Sequence, residues 1–348
     1  MIVKDEEDTL ARCLNCIKPF ADEIVIVDTG STDRTVEIAK TFTDKVYFFE
    51  WCDDFAAARN YSFSKANCDY IMWLDADDVI TPENAQKICA LKEEGGFDVA
   101  MLEYAAAFDG DTPTFKYMRE RIVRRSLNLQ WQGEVHEVIT PCGKIINSGA
   151  CIYHKKEKQS DSARNLHIYR RLLSSGKTLS PRQKFYYGRE LYFNRLYSES
   201  IAVLTEYMAE DGWVENRVEA CRTLYYCLKY TGRHKQAVQA LAYGLTLSYP
   251  HAQDCCELAL LFEEKKDVRS AIYWYQCALS SPEKVSGGGF INTYYLAYFP
   301  AIRLCVMYDG LGEYSLAYKY NEVAGKAKPN DASYIYNKQY LTTKLTER

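Results

Sequence analysis

The chain predicts an α/β domain with a mostly parallel sheet over residues 1–158, followed by an all-α domain over residues 159–348. Three observations carry this expectation. At 348 residues the chain exceeds what one ordinary core organises. Its first part alternates short β-branched runs with amphipathic stretches, the pattern of a sheet covered by helices. Beyond about residue 160 the texture changes to long helical patterns with few β-branched runs.

The elements follow in order. Ile2-Val3 opens a strand, and Leu10, Cys13, Leu14 and Ile17 recur at helical spacing until Pro19 ends the helix. Glu23 to Asp28 reads as a second strand. The turn Thr29-Gly30-Ser31-Thr32-Asp33 leads into a helix that Ser31 or Thr32 caps and that buries Val36, Ile38, Ala39 and Phe42. Val46 to Phe49 is a third strand, residues 54–67 a helix, and Tyr70 to Asp75 a fourth strand ending in acid. Thr81-Pro82 caps the next helix, with Pro in the first turn where no donor is lost. Ile145 to Tyr153 is a later strand that ends in His154.

In the second part Gly232 to Ala237, Lys266 to Ala271 and Gly312 to Ala317 superimpose, with a weaker copy at Arg195 to Ser200. The 34-residue interval from Ala237 to Ala271 is the period of a helix-turn-helix tetratricopeptide repeat, which this region resembles in short, degenerate form. Such units hide a small residue where paired helices cross, and their stacking leaves a concave face. The Gly287-Gly288-Gly289 segment follows no strand and reads as a flexible insertion.

Charged residues make up 26% of the chain and the formal net charge is -4, so no basic field gathers nucleic acid or anionic lipid. A small-molecule or neutral-polymer substrate fits better. The 13 cysteines are scattered, and the lone Cys13-x-x-Cys16 lies in an apolar helical pattern without a second pair, so they read as reduced thiols of a cytoplasmic protein. No stretch reaches the ~20 apolar residues of a membrane span, and the acidic start is unlike a signal peptide.

Ligands of open α/β sheets bind beyond the carboxyl ends of the strands. Asp28 closes the second strand and Asp75, Asp77 and Asp78 close the fourth, which puts four carboxylates on one rim. Asp75 and Asp77 can converge on one hard cation, Mn²⁺ or Mg²⁺, that neutralises a diphosphate. The competing reading is a solvated turn before Thr81-Pro82, with acid favoured near a helix N-terminus.

Residues 1 to about 155 resemble glycosyltransferase family 2. The resemblance rests on the opening Met-Ile-Val-Lys-Asp-Glu-Glu, on Val-Asp28-Thr-Gly30-Ser-Thr-Asp33, on Asp54-Phe-Ala-Ala-Ala-Arg59-Asn60 and on Trp73-Leu-Asp75-Ala-Asp77-Asp78. It implies a GT-A (Rossmann-like) fold, a nucleotide-sugar donor of the UDP-sugar type, a hexosyl or N-acetylhexosaminyl transfer and a divalent metal. On that resemblance Val3, Lys4, Asp28, Arg59, Asp75 and Ala76 border the donor, and Asp77 holds the metal. Arg59 either approaches the phosphates or orients Asp75, or forms a plain ion pair.

Trp131-Gln-Gly133-Glu134-Val-His136-Glu137 resembles the acceptor-side segment of the repeat-bearing branch of that family. An inverting transfer needs a proton acceptor beside the acceptor nucleophile; Glu137 is the first candidate, Glu134 the second, and His136 bonds the donor or Glu137. Two glutamates three apart in a strand-like stretch face opposite sides, so only one points inward. His154 resembles a late metal ligand of GT-A enzymes, and Lys155, Lys156, Lys158 and Arg164 can form a lid over the phosphates.

The repeat-bearing branch implies a peptide or protein side chain as acceptor, a glycan of cell-envelope assembly being the alternative, and the repeats can support a homodimer. A non-catalytic tetratricopeptide scaffold is the competing class. A nucleotidyltransferase fits less well, because Lys4-Asp5-Glu6-Glu7 stands where a glycine-rich phosphate loop belongs.

Overall fold

The structure, a computed structural model, describes residues 1–110, 112–157, 162–281 and 291–347. The expected domain boundary at 158/159, Lys158 and the Gly287-Gly288-Gly289 segment lie outside the described residues. The chain forms two compact units, one of Met1–Phe108 with Lys116–Gly212 and one of Asp109–Phe115 with Trp213–Arg348.

In the first unit β1 (Ile2–Val3), β2 (Ile26–Asp28) and β3 (Val46–Phe48) form a parallel sheet in that order. Between them lie α1 (Leu10–Ile17) and α2 (Thr35–Lys40). The apolar spacing of α1 has its physical outcome here: Leu10, Cys13, Leu14 and Ile17 are all buried in the core. Ser31 and Thr32 do not cap α2. The Ser31 hydroxyl accepts from the Asp5 N–H at 2.9 Å and Thr32 donates to the Asp5 carboxylate, so the turn after β2 is tied to the loop after β1 instead.

The helix α3 (Phe55–Ser64) is capped by Asp54, which accepts from Ala57 N–H. Then come β4 (Tyr70–Met72), β5 (Asp78–Val79) and α4 (Pro82–Glu94), where Thr81 caps and Pro82 opens the first turn. A long hairpin of β6 (Val99–Asp109) and β7 (Thr112–Arg124) follows, then β8 (Trp131–Gln132), β9 (Val138–Ile139) and β10 (Ile145–His154). The second sheet is mixed: its order runs β7, β6, β10, β5, with β10 parallel to β6 and antiparallel to β5, and β4 antiparallel to β7.

The helices α5 (Ser162–Ser174), α6 (Pro181–Phe193) and α7 (Tyr197–Met208) complete the first unit. The reason is a shared core: Leu166, Ile168, Tyr169, Leu172, Leu179, Tyr187 and Leu191 cluster with Val135 and with Trp51 and Phe55 from the α/β part. The second unit contains α8 (Val214–Tyr230), α9 (His234–Gly244), α10 (Ala252–Glu264), α11 (Val268–Leu279), the short β11 (Ile291–Asn292), a π-helical turn Tyr294–Tyr298, α12 (Phe299–Gly310), α13 (Tyr314–Ala327) and α14 (Ala332–Thr346). Successive helices pair as α6/α7, α8/α9, α10/α11 and α12/α13. Ser200, Ala237, Ala271 and Ala317 sit in the second helix of each pair and are buried, as a repeat of small crossing residues requires. The helical region therefore resembles tetratricopeptide structures. Among the described residues no helix is long and apolar enough to cross a membrane.

Candidate active site

The antiparallel pairing of β5 with β10 sets the register of the acidic rim, because His154 stands opposite Asp78 and Lys155 N–H donates to Asp77 O at 3.1 Å. His154 Nδ1 consequently lies 3.1 Å from the Asp77 carboxylate and 3.5 Å from that of Asp78. Burial disfavours the charged imidazole, but the two carboxylates outweigh it and push its pKa up to about 10.

Each aspartate of the rim has a different environment. Asp78 is fully buried, and its carboxylate receives Arg121 at 3.0 Å, the Tyr104 hydroxyl at 3.0 Å and Asp75 N–H at 3.0 Å. Arg121 is itself buried, its guanidinium 3.7 Å from the Trp73 ring centroid and 4.2 Å from that of Tyr104. Asp75 accepts from Arg59 at 2.7 Å; burial pushes its pKa up, yet Arg59 and Arg121 hold it well below the usual carboxylate range. Among the described residues Asp77 has no such arginine, and it lines the open cavity with His154.

That cavity, about 530 Å³, is walled by Val3, Lys4, Arg59, Trp73, Asp75, Ala76 and Asp77 on the strand-end side. Arg119, Arg121, His136, Glu137, His154, Lys156 and Arg164 close the other side. Arg59 is buried between two carboxylates, with Glu137 accepting from its Nε at 2.6 Å, and between the rings of Trp73 and Trp131 at 4.8 and 5.0 Å. Arg119 stacks on Trp73 and pairs with Glu120 at 3.1 Å.

Asp28 behaves differently from its neighbours on the rim. Its carboxylate accepts from Gly30 N–H and Ser31 N–H, both at 3.1 Å, and it is buried beneath the turn, while Thr29 lines the cavity.

Gly133 to Glu137 is not extended. It is the loop of a hairpin between β8 and β9, with Gly133 at φ 93° and His136 at φ 52°. A period-two argument therefore does not apply, although the two glutamates do diverge. Glu134 is taken up by Lys177 at 2.8 Å and Gln183 at 2.7 Å and does not line the cavity. Glu137 does. His136 lines it too, with Nε2 bonded to Glu190 of α6 at 2.7 Å and its ring stacked on Tyr186 at 4.1 Å.

A divalent cation is tested by this donor set. Among the described residues Asp77, Asp78 and His154 are the group able to offer three ligand atoms within 4.8 Å of one another. His154 Nδ1 is buried and makes no hydrogen bond of acceptable angle, although two carboxylates stand beside it. A nitrogen lone pair and carboxylate oxygens converging on one point fit Mn²⁺ or Mg²⁺. Asp77 and His154, which face the cavity, would hold the ion with Asp78 behind them.

An α/β unit with acid at its strand ends and this rim is what the family comparison matches: residues 1–152 fit the model of Glycosyl transferase family 2. Residues 1–152 form a family 2 glycosyltransferase domain. The chain is also 28% identical over 342 residues to a TPR repeat-containing protein of Synechococcus elongatus, covering 94% of this chain and 75% of that protein. It is 28% identical over 209 residues to the SPbeta prophage-derived glycosyltransferase SunS of Bacillus subtilis, 55% of this chain and 48% of SunS. The chain thus spans about half of the length of that relative. A crystal structure of MamA is similar over 48% of this chain with 18% identity and a TM-score of 0.38. The family 2 domain holds every rim carboxylate and Arg59, whereas Glu190, Lys177 and Gln183 lie beyond it.

The sequence marks Arg121 within the polar run Glu120-Arg121-Ile-Val-Arg124-Arg125 that precedes Trp131, as a later part of the site, but not its buried partner Asp78. Arg119 and Glu190 were not singled out, and for Arg119 the signal was the same run. Glu190 had none, being 54 residues from His136.

Proposed function

We propose that the chain is a metal-dependent inverting glycosyltransferase. In this reading it moves a hexosyl or N-acetylhexosaminyl group from a nucleotide-sugar, a UDP-sugar first, to a peptide or protein side chain. The observation that carries the reading is the β5/β10 register, which brings His154 onto Asp77 at the mouth of a cavity lined with cations. A bound divalent cation supplies positive charge to the diphosphate as it leaves.

The chain's own residues do the rest. Arg121 and Tyr104 fix Asp78, which in turn holds the backbone of Asp75 and so shapes the rim. Arg59 holds the Asp75 side chain. Lys4, Lys156, Arg119 and Arg164 line the cavity and offset diphosphate charge. The loop that carries His136 and Glu137 meets the acceptor, and one of those two groups takes its proton. Val3 and Ala76 lend apolar wall, and Asp28 acts on the donor through the Thr29 turn that it braces. The acceptor class rests on the helical pairs, whose stacked faces suit an extended chain.

A thermal-shift panel of UDP-, GDP- and dTDP-sugars with and without Mn²⁺ tests this. Ligand at 100 times its Kd stabilises the native state by about 2.7 kcal/mol. A Mn²⁺-dependent rise with a UDP-sugar is expected, and Asp77→Ala abolishes it without lowering the melting temperature of the free protein. No shift with any donor defeats the reading in favour of a scaffold.

A further inference from the structure

We infer that His136, oriented by Glu190 of α6, is the proton acceptor of the transfer, and that Glu137 serves instead to hold Arg59. The inference rests on the glycosyltransferase reading and deepens it: Glu190, outside the residues matched by the family, is a positioning residue of the site.

The argument begins with tautomers. An ionised carboxylate only accepts, so the bond between Glu190 and His136 puts the proton on Nε2 and leaves the lone pair on Nδ1. Among the described residues nothing hydrogen-bonds Nδ1, and the ring is partly exposed on the cavity wall. Glu190 is buried, and burial pushes its pKa up, but His136 and Asn165 draw it below its ordinary value. Its Oε1 also receives Asn165 Nδ2 at 3.0 Å, so the carboxylate is fixed by α5 as well as by the hairpin loop.

The backbone says the same. His136 occupies the left-handed region that a β-carbon disfavours, and three contacts from α6 hold it there: Glu190 on the ring nitrogen, Tyr186 against the ring face, and Arg182 donating to its carbonyl at 3.2 Å. Lys177 and Gln183 pin Glu134 two residues earlier. Backbone strain retained in this way marks a side chain whose direction is in use.

Glu137 is committed elsewhere. It and Asp75 are the two carboxylates that neutralise buried Arg59, and protonating Glu137 would leave that guanidinium half-paired. Among the described residues His136 holds no such arginine, and its Nε2 already faces the Glu190 carboxylate. The charged groups around it are Glu190 and Arg182 of α6, Arg164 of α5 on the same wall, and Glu137 with its partner Arg59. In the transfer, His136 Nδ1 takes the proton of an acceptor O–H or S–H as that oxygen or sulfur bonds the anomeric carbon. The bond from that carbon to the diphosphate oxygen breaks, and its electron pair leaves with the nucleoside diphosphate.

The test follows nucleoside diphosphate release from UDP-, GDP- and dTDP-glucose by the full chain in Mn²⁺, with water as acceptor. Glu190→Gln preserves shape but removes the carboxylate that fixes the proton on Nε2, so it should lower kcat at least about 10-fold while the donor KM changes less than about 2-fold. Glu190→Asp should recover part of that loss. His136→Asn, which tolerates the left-handed backbone, should lower kcat about 100-fold or more. A wild-type kcat in Glu190→Gln overturns the inference, as does a kcat that survives in His136→Asn and is lost in Glu137→Gln. Wild-type protein that releases no diphosphate from any of the three donors overturns the glycosyltransferase reading itself.

Discussion

Arg121 shows how a single buried charge organises the rim. It has no water to turn to, so its cost is offset by the Asp78 carboxylate, the Trp73 carbonyl at 3.2 Å and two aromatic faces. Arg121→Lys keeps the charge but loses the planar stack. We expect a loss of about 1–3 kcal/mol of stability by denaturant unfolding. Because Asp78 then moves, the Mn²⁺-dependent melting shift should need about 10-fold more metal. A variant with the wild-type metal dependence would show that Arg121 only fills space. Glu23 gives a pH-dependent counterpart. Burial raises its carboxyl pKa, but Lys45 and the Asn67 N–H win and hold it at about 2, against 4.5 when unfolded. A depressed carboxyl stabilises fully above the unfolded value and loses that contribution as pH falls from about 4.5 toward 2. Unfolding midpoints measured from pH 5 to 2.5 should therefore fall more steeply for wild type than for Glu23→Gln.

Among the elements, the α6/α7 crossing is one that glycine makes possible. A β-carbon on Gly188 would stand 2.4 Å from the Leu204 side chain, and Ser200 donates to the Gly188 carbonyl at 2.7 Å. Gly188→Ala should destabilise the first unit by about 1–3 kcal/mol, seen as a lower denaturant midpoint, and an unchanged midpoint would mean that the crossing can open freely. Much at this scale was legible beforehand. The repeat of small residues announced the crossings, α1 followed from its apolar spacing, and Thr81-Pro82 capped α4 as expected. The failures have physical causes. Ser31 and Thr32 are good caps, but their hydroxyls serve the loop at Asp5, a tertiary use that local chemistry does not reveal. Gly133 to Glu137 reads as strand-like, yet positive φ at Gly133 and His136 curls the segment into a hairpin loop. The acidic rim was legible as composition. The separation of its roles was not, because Arg59, Tyr104 and Arg121, which divide Asp75, Asp77 and Asp78, come from three distant elements.

At the scale of the molecule each of the two units buries an arginine against an aspartate. The second unit buries Arg222 against Asp254 at 2.7 Å, with Glu219 also on the guanidinium, in the interior of α8 and α10. Asp254→Leu alone strands that arginine and should cost about 3–5 kcal/mol, whereas Arg222→Met combined with Asp254→Leu should cost much less. Calorimetry on both variants decides it; equal losses would show that packing volume, not charge, sets the penalty.

The hairpin loop that α6 grips has a consequence for how such a protein can be inherited. The stretch recognisable as family 2 stops at residue 152, but the strained His136 within it is braced by Lys177, Arg182, Gln183 and Glu190, all beyond that limit. The segment that matches the family and the segment that holds the loop in place are thus of different lengths. A recombination that joined this domain to a foreign partner at residue 152 would carry over every rim carboxylate, yet it would leave the hairpin loop without its brace. Exchanges made after α7 would pass on the loop together with its brace.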